Sequence, residues 1–294
     1  MNDFWILLTA ALVACSCSLL GCFLILRRMA MVGDAISHSV LPGIVIAFLL
    51  SGTRDSLFMM LGASVLGLIT VFLIQMFQQS GVQSDASIGV VFTALFSVGV
   101  VLVSLYTRQV DLDLDCVLYG EIIRVPWDVI EFAGREIGPK AVWGLGIVLT
   151  LSAVVIGVFY KQFKLCSFDP ALAAAVGIPV AFFHYLLMGL VSVTTVASFE
   201  SVGAILVVGM LVVPAATAYL LTERLSVMIF LSMGVGVASS TLGYYASVLL
   251  DASIAGCMIS VAGVLFAAAF LFSPKHGVVF RKLKQRRLAA KEAV

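Results

Sequence analysis

Two ionisable residues stand where a polypeptide can rarely hold them. The run GDAISHSVLPG places Asp34 and His38 four residues apart inside a long apolar stretch. On a helix that spacing stacks the two side chains on one face. A carboxylate or imidazole within a membrane is costly and faces a wet cavity, a partner or an ion path. Asp34 alone fits a helix cap and His38 alone fits an interhelical hydrogen bond, but a cap leaves the histidine unexplained. Together, carboxylate oxygen and imidazole nitrogen are borderline ligands that suit Mn²⁺, Fe²⁺ or Zn²⁺ better than soft copper. Pro42 adds to the pair. Lacking an N–H, it leaves the carbonyl of residue 38 without its usual helical donor, at the level of the histidine ring. Two copies of the chain face to face would bring two Asp and two His to one axis, a set weak enough to release an ion.

The elements that must position these groups are membrane helices. Hydrophobic residues make up 62% of the 294 residues and charged ones 11%, and mean hydropathy is +1.16, values that exclude a soluble domain with a polar face. Apolar stretches fall at 4–26, 30–50, 56–77, 87–105, 141–160, 180–198, 203–222, 226–250 and 252–272, each near the roughly 20 residues needed to cross a bilayer. The expectation is an all-α polytopic bundle of eight or nine spans forming a single domain over residues 1–294. Small residues recur every four positions at Ala10, Ala14, Ser18 and Cys22, at Gly89, Thr93 and Ser97, and at Ser239, Gly243 and Ser247, and predict close helix packing. The cysteines show no metal-finger spacing and read as packing residues. The first span has no basic region before it and no cleavage-like site after it, so it is expected to persist as a helix.

Charge placement gives the orientation. A tail over 274–294 carries Lys275, Arg281, Lys282, Lys284, Arg286, Arg287 and Lys291, which predicts a cytoplasmic C-terminus. Counting back, Arg224, Lys161 with Lys164, and Arg27 with Arg28 fall on the same side, while Asp3, Asp55, Glu200 and Asp251 fall opposite. Nine spans put the N-terminus outside; a re-entrant segment would put it inside. The net charge of +1 gives no reason to expect a nucleic-acid partner. No G-x-x-x-x-G-K-[ST], H-E-x-x-H or G-x-S-x-G occurs, so no phosphate loop, zinc protease or serine hydrolase can be assembled. The chain is not expected to be an enzyme.

Three stretches in order carry a family resemblance: LRRMAMVGDAISHSVLPG from Leu26, SFDPALAAAVGIPV from Ser167 and SVGAILVVGMLVVPAATAYLL from Ser201. The first resembles the signature of bacterial ABC permeases that import manganese, zinc or iron. The second is similar to that family's cytoplasmic segment before a span, and the third to its Gly-rich span kinked at Pro214. The match extends over roughly residues 5–275. The resemblance implies a type II ABC importer permease in the inner membrane, surrounded by lipid. It implies a homodimer, or a heterodimer with a related permease, resting on cytoplasmic ATP-binding subunits and served by an extracellular or periplasmic metal-binding protein. Asp34 and His38 become metal-path residues, with Pro42 and Gly43 shaping their helix. The divalent ion is cargo, and no tightly bound cofactor is expected. The alternative is a secondary carrier in which Asp34 is a protonation site, but such folds usually show inverted repeats and none is evident.

With that resemblance, 165–179 becomes a coupling segment. Asp169 and Pro170 start a short helix as capping acid and N1 proline, Ala173 and Ala174 fill it, and Gly177 with Pro179 stops it. Such a helix can seat in a groove of a soluble ATPase. Weaker metal candidates are Glu200, at the outer end of the sixth span, and His184, one turn inside the same span; His276 lies in the tail. The acidic loop 106–140 suits a cation-attracting or protein-binding role, and Val117–Gly120 resembles the family's short external element.

Overall fold

The structure, a computed structural model, describes residues 2–51, 56–106, 122–132 and 135–273. Eleven helices are described: α1 (Asn2–Leu26), α2 (Met31–Ser51), α3 (Ser56–Gln79), α4 (Ser84–Tyr106), α5 (Lys140–Val158), α6 (Tyr160–Phe168), α7 (Pro170–Ala175), α8 (Val180–Val202), α9 (Ala204–Leu221), α10 (Leu225–Leu250) and α11 (Ile254–Phe272). Nine are long and apolar enough to cross a membrane, with spans of 18–26 residues. At about 1.5 Å per residue these reach about 27–39 Å, the thickness of a hydrocarbon core. The count is therefore nine among the described residues, and α6 and α7 are the two short exceptions.

Lipid offers no hydrogen bonds, so many hydroxyls within the spans fold back onto their own helix. Thr9 Oγ1 donates to the Trp5 carbonyl at 2.8 Å, Ser16 Oγ to Leu12 at 2.8 Å, and Thr217 Oγ1 to Val213 at 2.8 Å. Helix α1 is the central element and packs against α5, α8, α9 and α10. Its small residues Ala10, Ala14, Ser18 and Cys22 are buried as expected. Gly21 lies against the backbone of Leu211, and a Cβ on Gly236 would fall 3.2 Å from that of Ala14. The Ser239, Gly243 and Ser247 row is buried too, with Gly243 against the Met258 backbone.

The third small-residue row corrects the expectation. Thr93 and Ser97 are exposed, and a Cβ on Gly89 would meet nothing within 4 Å. This face of α4 packs on no other part of the described chain, because α4 rests on α2 and α3 through the opposite side. The fold also departs slightly from all-α. A 3₁₀ turn at Val125–Trp127 leads into an antiparallel hairpin, β1 (Val129–Phe132) and β2 (Arg135–Pro139), with Phe132 opposite Arg135 and an irregularity between Val129 and Glu131. Gly138, at φ +116°, lies against the Trp5 ring and fixes the hairpin over the start of α1. The Asp111–Asp115 run, Val117–Gly120, Asp55 and the basic tail with His276 lie outside the described residues.

Candidate metal path and coupling face

Burial along α2 alternates with helical period. Val32, Gly33, Ala35, Ile36, Ser39, Val40, Pro42 and Gly43 are buried, whereas Asp34, Ser37, His38 and Leu41 are partly exposed. The buried side is held by close approach. Gly43 crosses Gly62 of α3, where a Cβ would fall 2.7 Å from the Gly62 carbonyl oxygen, and Thr70 Oγ1 donates to Ser39 Oγ at 2.8 Å. That packing turns the polar side outward. His38 Nε2 stands 3.5 Å from Asp34 Oδ1, and each side chain keeps 37% of its surface exposed.

The His38 ring is braced by α4, with centroids 5.8 Å from Phe92 and 6.0 Å from Phe96. Two ligands on one ion at about 2.1 Å, subtending about 110°, stand about 3.4 Å apart. The Asp34–His38 separation is of that size, so both groups can approach one ion without rearranging the helix. Among the described residues no third His, Cys, Asp or Glu joins them, so the pair stands as two ligand-type groups, partly exposed on α2. Pro42 lies inside α2, and the His38 carbonyl opposite its missing N–H remains available. Pro214 occupies the interior of α9 and frees the carbonyl of Met210 in the same way, within the buried core.

The remaining candidates lie apart from this pair. His184, in the second turn of α8, stands with Nδ1 3.5 Å from Arg27 Nη1 and its ring 5.6 Å from that of Tyr185. A guanidinium neighbour repels a cation, and the imidazole is half-buried at the end of the bundle. Glu200 falls in the last turn of α8; its side chain lies outside the described residues. Arg27 also donates from Nε to Ser167 Oγ at 3.1 Å. Burial pulls the Arg27 guanidinium below its ordinary value, and burial pushes the Cys166 thiol up, with the nearby Arg27 charge partly offsetting that rise.

The short helix after α6 forms as the sequence dictates. Asp169 Oδ1 accepts from the Leu172 N–H at 2.9 Å, Pro170 occupies the first turn, and Gly177 at φ +85° closes the helix as its N–H reaches Ala174 and that of Ile178 reaches Ala173. The two alanines part company. Ala173 is fully buried and seats the helix, whereas Ala174 is exposed beside Leu172 at 49% and Val176 at 66%. An apolar outer face is thus presented at the end of the bundle that also carries Arg27, Arg28, Lys161, Lys164 and Arg224. Sequence reasoning missed α6, the Phe92 and Phe96 brace, and the Arg27–Ser167–His184 contacts. The F-x-x-x-F spacing in the fourth span was the available sign of the brace.

A helical bundle with nine spans among its described residues, a polar pair on its outer face and a capped surface helix at its basic end has the form of a multi-pass membrane permease. Residues 3–273 match the ABC 3 transport family, and the chain belongs to that family. It is 53% identical over 291 residues, 99% of each chain, to the manganese transport system membrane protein MntD of Bacillus subtilis. Over 284 residues, 96% of this chain and 77% of the relative, it is 43% identical to the zinc transport system membrane protein TroD of Treponema pallidum. Among solved structures, PsaBC from Streptococcus pneumoniae in complex with Fab superposes with a TM-score of 0.80 at 33% identity, covering 97% of this chain and 95% of that one.

Proposed function

We propose that this chain is the membrane permease subunit of an ATP-driven importer of divalent transition-metal ions, with manganese and zinc as the leading cargoes. The observation that carries the reading is the Asp34–His38 pair, 3.5 Å apart on an exposed face inside a membrane helix, completed by no other acid, histidine or cysteine among the described residues. An open half-site of borderline ligands suits transient coordination of a dehydrating ion. The relatives named for manganese and zinc support the cargo class. The ABC family supports ATP over a proton gradient as the driving force, which displaces the secondary carrier.

A second permease facing α2 and α4 would supply the missing ligands, either a second copy or a related chain. The outward Gly89, Thr93 and Ser97 row offers the small surface that such helix contacts use. The ABC family and the lack of a phosphate loop in the sequence support a cytoplasmic partner as the seat of ATP hydrolysis, with α7 as its docking helix and Asp169, Pro170, Ala174 and Gly177 shaping the contact. An external metal-binding protein would deliver the ion at the hairpin end. Reconstitution with the ATPase tests the reading: metal-stimulated ATP hydrolysis coupled to uptake supports it, and uptake that needs a proton gradient but no ATP contradicts it.

A further inference from the structure

At the basic end of the bundle a cavity of about 470 Å³ opens between the α1–α2 link, the last turns of α3, the end of α6 and the start of α8. Arg27, Arg28, Gln75, Ser167, Pro170 and His184 line it, and no carboxylate does. Among the described residues no acid lies within ion-pair distance of Arg27. Arg27 Nη1 donates toward His184 Nδ1 at 3.5 Å, which makes Nδ1 the acceptor and leaves the proton on Nε2. Both His184 Nε2 and Arg27 Nη2 are buried without a hydrogen-bond partner, as is the Gln75 amide oxygen. Two unanswered donors, one on the half-buried Arg27 guanidinium and one on the neighbouring His184 imidazole, mark a site built for an acceptor that carries negative charge, because a buried unmet donor is costly and a charged one more so.

We propose that this cavity binds the phosphate of an anionic phospholipid headgroup. Two observations favour lipid. The cavity sits where spans α1, α3 and α8 end or begin, at headgroup level, with Leu26 and Val180 extending its wall toward the apolar layer. Beside it, α6 exposes Lys161, Lys164 and Phe168 and buries Phe163 and Cys166, the pattern of a helix lying in a membrane surface with basic groups toward anionic lipid. A headgroup held here ties Arg27, two turns before Asp34, to Ser167, just before the coupling helix. The lipid thereby joins the ion-binding helix to the element the ATPase moves.

The test is native mass spectrometry of the permease assembled with its ATPase, offered phosphatidylglycerol or phosphatidylcholine. The wild type retains phosphatidylglycerol in preference, and Arg27→Gln and Arg28→Gln each lower retention about fivefold, the equivalent of about 1 kcal/mol per basic residue near an anionic surface. Arg28 is exposed, so its replacement tests the site without disturbing the fold. Equal retention of both lipids, or retention unchanged in both variants, overturns the proposal. Binding of millimolar inorganic phosphate with no lipid retained overturns it in favour of a free anion. Retention by the permease alone that disappears when the ATPase docks overturns it in favour of a protein contact.

Discussion

A Cβ placed on Gly99 of α4 would fall 2.7 Å from Pro42 Cδ and 3.0 Å from Pro42 N. The proline that breaks α2 one turn beyond His38 is therefore seated against a helix surface with no room for a side chain. Gly99 follows Phe96, a brace of the His38 ring, by one turn of α4. Gly99→Val must push α4 from α2 and take Phe96 with it. Overpacking of this kind costs about 1–3 kcal/mol. A lower thermal midpoint in detergent together with reduced uptake is expected; an unchanged midpoint would show the contact to be slack.

Pro42 itself has a separable role. Pro42→Ala restores an N–H that donates to the His38 carbonyl, and on the proposed reading it withdraws that oxygen from the metal. The buried position accepts the smaller side chain, so the protein should reach the membrane at normal levels. Uptake should nonetheless fall about tenfold, the scale on which supporting groups tune a metal site. Apparent affinity measured from uptake against metal concentration checks this, and wild-type affinity would leave the proline only a packing role.

Helix α7, proposed above to dock the ATPase, yields a contrast between neighbours. Ala173 is fully buried and Ala174 exposed, so Ala173→Leu should unseat α7 and destabilise the permease by about 1–3 kcal/mol even without a partner. Ala174→Leu should leave permease stability within about 0.5 kcal/mol yet weaken ATPase binding. Asp169→Ala removes a cap worth about 1 kcal/mol and should lower the ratio of metal transported to ATP hydrolysed. Melting of the isolated permease and co-purification of the ATPase separate these outcomes.

Much of the architecture could be read directly from residue pattern. All nine apolar stretches became helices with ends displaced by a few residues, because the bilayer fixes span length and the turn residues fix where it stops. Asp34 and His38 were legible because ionisable groups in apolar runs are rare, and α7 because Asp169, Pro170 and Gly177 are strong local signals. What sequence could not supply was direction. The Gly89, Thr93 and Ser97 row looks like the buried row in α1, yet it points outward, since small residues mark a contact without saying whether the partner is in the same chain. Helix α6 was missed because its Lys and Phe pattern is short and resembles a loop, and the Arg27–His184 contact because it joins distant segments.

Gly203 alone separates α8 from α9, at φ +78° and ψ +164°, a region essentially closed to side chains. Gly203→Ala should cost about 1–3 kcal/mol and shift the relation between the helix that ends near Glu200 and the helix that carries Pro214. A decreased melting temperature is the expected result, and an unaltered one would mean the junction adapts at no cost.

Asp34 and His38 are exposed enough to be changed without unfolding the bundle. The direct measurement is manganese and zinc uptake, by elemental mass spectrometry, into proteoliposomes holding the permease and its ATPase, for wild type, Asp34→Asn and His38→Gln. Both variants should assemble and melt like the wild type and lose at least about tenfold in uptake, the scale of losing a metal-site group. Uptake of both metals at the wild-type rate by either variant would contradict the assignment of the pair to the ion path.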